Sequence, residues 1–364
     1  MKVRVACWYG ALTPALSRKA GEGVQIRTRS SFAFSALFAV ALWAGGPRDA
    51  FAAERSLTVL SYPDRPAKLP LWLARDAGLF EKYGLRVEIT AAKSGEDLVE
   101  RIREDEAQIY AATANWIVSG VGDGKDLVFF ANTGYSVLKL LAGPTITRPE
   151  ELKGKRVGTG EANSSQDRIT RQALLRLGLN PDKDVTLVAM SGRSVMRLNA
   201  LVKGEIDATT SNADNIFDLE RRGEMNKVRV LADNESLKLF IGAGVDFAVA
   251  RSLLTNSRVV VKRFVQALSE AIALARRERA TADRIYTRYL KVQDAGLLEF
   301  MYQTYVLGAI PRVPFPKTEN AALGAEEFGV KEGLKGKTAA DLTDASIVRE
   351  LEREGFFERL YQKK

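Results

Sequence analysis

Polar residues suited to gripping a small molecule recur just after β-rich runs in this sequence. Gly160-Glu161-Ala162-Asn163-Ser164-Ser165 is the most developed of these stretches. Glycines at 158 and 160 let the backbone approach a ligand. Ser164 and Ser165 open a helix whose free N–H groups favour an anion. Glu161 works against that reading, because a carboxylate there would repel an anion. Either it points away, or the ligand carries a cationic or donor group. Ser191-Gly192-Arg193 adds a guanidinium that can hold an oxyanion bidentately. Thr210-Ser211-Asn212 and Thr113-Ala114-Asn115-Trp116 also follow strands, offering hydroxyls, amides and, at Trp116, an aromatic wall. Tyr62 could stack on a flat ligand or give its hydroxyl, and Lys68, beside Leu69, could pair with an anion. Asn132 and Thr133 end another strand, near a crossing between the two halves of the chain. Each candidate also has a plainer role: Thr113 and Asn115 as helix caps, Trp116 as core, Lys68 and Arg193 as solvated charge.

The composition removes much enzyme chemistry. There is no histidine among the 364 residues, so Ser-His-Asp and Cys-His nucleophile systems and His-dependent metal sites are excluded. The one cysteine, Cys7, cannot form an internal disulfide or a cysteine cluster. Gly158-Thr159-Gly160 would need a glycine at Asn163 to be a dinucleotide fingerprint, and Gly336-Lys337-Thr338 would need one at Lys331 to be a P-loop. No catalytic residue, metal or cofactor is expected. The net charge is +9, but residues 1–52 hold seven of the basic and two of the acidic residues, leaving +4 beyond them. No dense basic stretch with interleaved aromatics stands out there, so no nucleic-acid partner is expected.

Those candidates must be positioned by alternating strands and helices. Strands are expected at 57–61, 85–90, 108–113 and 127–131, and helices at 70–83, 94–106 and 115–122. A polar segment, Thr147–Lys155, follows. Strands at 156–159, 185–190, 206–210 and 228–232 then alternate with helices at 164–178, 194–203 and 213–222. Such alternation implies parallel sheets with crossover helices. The two units echo each other: Ile, Ala, Thr and Asn match between 107–115 and 204–212, aligning Thr113 with Thr210. Beyond Glu235 the chain turns largely helical, and these elements are expected to pack on the first unit.

The N-terminus reads as a leader. Arg27 and Arg29 precede a thirteen-residue apolar run, Phe32–Ala44, shorter than the roughly 20 residues a bilayer span requires. Ala50-Phe51-Ala52 then places small residues for cleavage before Ala53. The stretch Leu12–Gly23 resembles translated repeat sequence of the kind that precedes genes, so translation is expected to start near Val24.

Four stretches resemble the solute-binding proteins of ABC transporters in the NMT1/THI5-like, sulfonate/taurine/nitrate-type group. They are Leu69–Leu85, with its Ala-Gly-Leu-Phe core; Glu151–Gly158 with Asn163-Ser164-Ser165; Leu201–Ala208; and Ser346–Tyr361. The resemblance implies an α/β, type II periplasmic-binding-protein fold, with two α/β lobes joined by two hinge strands. The first lobe would comprise 53–143 and 235–364, the second 144–234. A small-molecule ligand would be held in the cleft by hinge closure, with ABC transporter permease subunits as partners. The protein would be periplasmic, monomeric and not an enzyme. A pyrimidine-synthesis enzyme of the same fold is the alternative, disfavoured by the missing histidine and cysteine cluster; a ligand-sensing domain is another.

Overall fold

The computed structural model describes residues 55–362, apart from 136, 163, 192–193, 238–243 and 329–330. The leader, with Cys7, Val24 and the Ala52/Ala53 junction, lies outside the described residues.

The first sheet is built from β1 (Arg55–Tyr62), β2 (Leu85–Ala91), β3 (Ile109–Ala112) and β4 (Leu127–Asn132). Their crossovers are α1 (Leu69–Asp76) with α2 (Leu79–Lys82), α3 (Gly95–Arg103) and α4 (Ala114–Gly122). The second sheet uses β5 (Leu138–Ala142), β6 (Arg156–Thr159), β7 (Thr186–Ala189), β8 (Ala208–Asn212) and β9 (Arg229–Asp233). Between them run α5 (Ser165–Arg176), α6 (Ser194–Val202) and α7 (Ala213–Arg221). The chain then returns to the first sheet as β10 (Asp246–Ala250). It continues through α8 (Arg251–Asn256), α9 (Arg258–Arg277), α10 (Arg279–Leu290) and α11 (Ala295–Met301). A π-helix, Tyr302–Ala309, follows directly, then α12 (Thr318–Phe328), α13 (Ser346–Arg353) and α14 (Phe356–Gln362).

The strand orders are β2-β1-β3-β10-β4 and β7-β6-β8-β5-β9. In each sheet the first three strands are parallel, and one antiparallel strand sits between the third and the fifth. That strand, β5 or β10, is the one entering from the other half. The expected division at 143/144 therefore shifts upstream: Leu138–Ala142 pairs with β8 and β9 in the second sheet. The sequence echo also shifts. Thr113 stands at the N-cap position of α4 and Asn212 at that of α7, so these two are the topological equivalents, not Thr113 and Thr210.

Both faces of the first sheet are covered, as parallel sheets require. Alternate residues divide cleanly. Val59, Ile109, Phe130 and Phe247 pack toward α1 and α9, while Leu60, Tyr110, Phe129 and Ala248 pack toward α3 and α4. Phe264 of α9 stacks on Phe80 and meets the edges of Phe130 and Phe247. The expected single helix over 70–83 is broken at Gly78, whose φ of +64° lies in the left-handed region that glycine tolerates best.

Asp246 begins β10 where the chain re-enters the first sheet. Its carboxylate is 1% exposed and accepts from Asn132 Nδ2 at 2.8 Å and from Asn320 Nδ2 at 3.0 Å to each oxygen. It also accepts the backbone N–H of Ala114, the first residue of α4. Burial nevertheless pushes the carboxyl up, from 3.8 to about 6, because desolvation outweighs these donors. The folded protein therefore holds a proton there that the unfolded chain releases between pH 4 and 6. The group's contribution to stability is greatest below about pH 4 and is lost as pH rises through 6, on the order of 3 kcal/mol in all. Asp246→Asn should abolish that part of the pH dependence. Urea denaturation at pH 4.5 and 7.5 checks it; an unchanged pH slope in the variant would refute the assignment.

Candidate functional site

Three of the expected polar positions come together at the N-terminus of α4. Thr113 has extended backbone angles, so it stands at the cap position, and its carbonyl accepts the Trp116 N–H at 3.2 Å. Its side chain makes no cap bond. Thr113 Oγ1, both side-chain atoms of Asn115 and Trp116 Nε1 are buried and have no hydrogen-bond partner. The three residues are only 1%, 8% and 9% exposed. The plainer role of side-chain cap does not describe Thr113 and Asn115, while the Trp116 ring does pack into the hydrophobic cluster with Leu98, Val99 and Ile117. Trp116 stands where it does because residue 95 is glycine; a Cβ there would collide with the indole ring. Across from it, the Arg168 guanidinium of α5 lies 5.4 Å from the ring centroid. The carboxyl end of the first sheet and the start of α5 therefore face each other, and the indole and the guanidinium are in cation–π contact.

The turn before α5 is built around its own needs. Ser164 caps the helix by accepting the Asp167 N–H at 3.2 Å, and a Cβ at Gly160 would run into the Ser164 hydroxyl. Gly160 thus serves the turn as well as any close approach of a ligand. Glu161 is exposed, and its backbone carbonyl accepts the Ser164 N–H. Ser165 opens α5; Asn163 and Arg193 lie outside the described residues.

Other expected residues are engaged internally. Leu69 is fully buried in the core of the first lobe. The Lys68 ammonium is also fully buried, bound to Asp64 at 2.8 Å and lying 5.6 Å from the centre of the Trp72 ring. Burial lowers its pKa. Asn132 serves Asp246 and accepts the Gly134 N–H, and Thr133 Oγ1 donates to the Ala67 carbonyl at 2.8 Å. Thr210 shares a 2.8 Å hydroxyl contact with Thr170, and Ser211 accepts from Asn215 at 3.4 Å. Tyr62 is half-buried at the end of β1, and Ser191 is exposed beyond β7.

A cavity of about 380 Å³ lies between the two sheets. One wall is the turn after β1, with Asp64, Arg65 and Pro66; another is the first turns of α5, α6 and α7, with Gln166, Ser194, Asn212 and Asn215. Leu290, Val292, Leu297 and Met301 make an apolar side. Burial lowers the Arg65 guanidinium to about 10. Of the expected residues that are described, only Asn212 lines this cavity, its Nδ2 3.5 Å from Ser194 Oγ. Beside it the halves are latched. Tyr305 bonds Asp214, Phe217 stacks on Phe300 at 4.6 Å, and Arg221 pairs with Asp294 at 2.7 Å.

One residue was not legible as a site residue. Arg197, on α6, is fully buried, and it donates one hydrogen bond, from Nη2 to Gln166 Oε1 at 3.2 Å. The signal available was a charge set among the apolar positions Leu198, Ala200 and Leu201 of an amphipathic helix. Among the described residues no group of three or more His, Cys, Asp or Glu could hold a metal ion. No helix among them is long and apolar enough to cross a membrane.

The orphaned polar atoms at α4 carry a stability signature. Each buried, unmade hydrogen bond costs about 1–3 kcal/mol. Thr113→Val and Asn115→Leu should therefore leave the unliganded melting temperature unchanged or raise it. Asn132→Leu, which strips donors from a buried carboxylate, should lower stability by about 3 kcal/mol. Thermal melts of the three variants test the contrast; an equal loss in all three would mean the α4 cluster is structural.

The family model described as NMT1/THI5 like matches residues 65–282, more than half of the chain. Among curated proteins none matches the sequence. Among solved structures, the periplasmic aliphatic sulphonate binding protein SsuA from Escherichia coli superposes with a TM-score of 0.62 at 18% identity, covering 79% of this chain and 98% of that one. The alkanesulfonate-binding protein SsuA from Xanthomonas axonopodis pv. citri, bound to MOPS, gives 0.58 at 19% identity, covering 80% and 99%. The desulfurization enzyme DSZB gives 0.58 at 18%, covering 82% and 99%. The fold is the type II periplasmic-binding-protein fold, two α/β lobes joined by two crossing strands. On the match over residues 65–282, with its paired five-stranded sheets, this chain belongs to the NMT1/THI5-like family.

Proposed function

We propose that the protein captures a small organic molecule between its lobes, closes on it by a hinge motion, and delivers it to the permease of an ABC importer. The observation that carries this reading is the α4 cluster. Thr113, Asn115 and Trp116 hold buried polar atoms that find no partner among the described residues, and Arg168 of the other lobe lies against the Trp116 ring. A protein bears that cost where a ligand recovers it. Two indole or amide donors, a hydroxyl and an amide acceptor suit an oxygen-rich head group, while the apolar side of the neighbouring cavity suits a carbon chain. The named ligands of the SsuA structures, an alkanesulfonate class and MOPS, have that two-part character.

Exported by its leader, the protein would act as a periplasmic monomer, with the second lobe, from β5 through β9, moving against the first. The crossing segments after Asn132 and Asp233 are the natural hinges. A DSZB-like structure shows that the fold also hosts an enzyme. Capture without turnover is favoured here because the chain has no histidine and its one cysteine falls in the leader.

Thermal-shift measurements on the processed protein with MOPS, alkane-1-sulfonates, taurine, nitrate, carboxylates and pyrimidines test the reading. A true ligand at a hundred times its dissociation constant should add about 2.7 kcal/mol. It should be recovered chemically unchanged. If no compound stabilises the protein while sulfite is released from biphenyl-2-sulfinic acid, capture gives way to catalysis.

A further inference from the structure

We propose that Arg197 is the charge-reading group of this protein, and that the captured molecule carries an oxyanion which reaches it by displacing the Gln166 side chain. The inference rests on the capture reading above and specifies the chemistry of its ligand.

Arg197 is unlike the other inward-facing charges. Lys68 is paired with Asp64, Asp167 with Arg171 at 3.0 Å, and Asp246 is wrapped in amide donors. Arg276 donates to the carbonyls of Val306, Leu307 and Ile310. Arg197 is 0% exposed, has a single neutral acceptor, and leaves Nε and Nη1 without a partner. No carboxylate forms an ion pair with it among the described residues. A guanidinium withdrawn from water without a counter-charge is costly, and its planar fork of N–H groups suits a carboxylate, sulfonate or phosphate oxygen pair.

Its surroundings are arranged for an anion to arrive. Gln166 touches Arg197 on one side and lines the 380 Å³ cavity on the other. Arg197 lies in the first turn of α6 and Gln166 in the first turn of α5, where backbone N–H groups add positive potential. The two carboxylates on the cavity are already engaged, Asp64 by Lys68 and Asp214 by Tyr305. Burial lowers the pKa of the Arg197 guanidinium, the shift expected of a cation still lacking its counter-ion.

The test pairs charged and neutral isosteres, hexane-1-sulfonate with hexane-1-sulfonamide and hexanoate with hexanamide. Calorimetric titration is run on the processed wild type, Arg197→Met and Arg197→Lys, alongside unliganded melts. Wild type should bind an acid at least about thirtyfold more tightly than its amide, and Arg197→Met should erase that margin. Arg197→Lys should retain part of it. The Met variant should melt no lower than wild type without ligand, because it removes an uncompensated buried charge. A Met variant that fails to fold, melts lower, or binds the acid as tightly as wild type would make Arg197 structural and overturn the inference. Equal affinity of wild type for acid and amide would overturn it while leaving capture intact. No binding of any probe to wild type would remove the capture reading and this inference with it.

Discussion

The Asp246 carboxylate is bound from three directions: by Asn132 at the end of β4, by Asn320 on α12, and by the first N–H of α4. Those elements meet where the chain leaves the first sheet and where it comes back. An antiparallel strand inserted between β3 and β4 has to be held in register, and Asp246 stands opposite both Ala112 and Asn132. The same carboxylate sets the start of α4. Because α4 begins at Ala114, Thr113, Asn115 and Trp116 are presented at the carboxyl edge of the sheet. A buried carboxylate that costs desolvation energy thus organises both the return of the chain to the first sheet and the start of α4.

The polar groups of the interior fall into two populations. Asn132, Thr133, Thr210 and Asp167 are buried and bonded, and they specify how strands and helices seat. Thr113, Asn115, Trp116 and two nitrogens of Arg197 are buried and unbonded. Residue type does not separate the populations, since threonine and asparagine occur in both. Three residues with unbonded atoms, Thr113, Asn115 and Trp116, gather at the carboxyl end of the third strand of the first sheet, where ligands of open α/β sheets bind.

Much of the architecture was legible. Strands from 57 to 61 and 127 to 131 were read from short apolar runs, and the structure extends them by only a residue or two. β5 was missed, because Leu138–Ala142 is a short run interrupted by Lys139 and sits against a glycine-proline pair that looks like an ending. Helix 70–83 was read through Gly78, since glycine spacing does not distinguish a tolerated residue from a left-handed break. The π-helix at 302–309 is invisible to a 3.6-residue period, and its unusual turns are stabilised by Arg276 from another helix. At the site, Thr113, Asn115 and Trp116 were named but so were Lys68 and Asn132, because a sequence shows which groups can bond and not which already have. Arg197 escaped because a charge on an apolar stripe reads as an imperfection of the helix.

Trp116 has a consequence for observing this molecule. Tryptophan occurs four times in the chain, and two of these, Trp72 and Trp116, lie among the described residues. Trp72 is locked in the core, stacked on Tyr289 at 4.7 Å. Trp116 has its ring edge against Gly95 and a guanidinium from the opposite lobe over its face. The electronic states of indole respond to a nearby charge, so its emission carries the position of Arg168 relative to the first lobe. The geometry has placed one of the two described indoles on the contact between the lobes, where its emission reports their spacing.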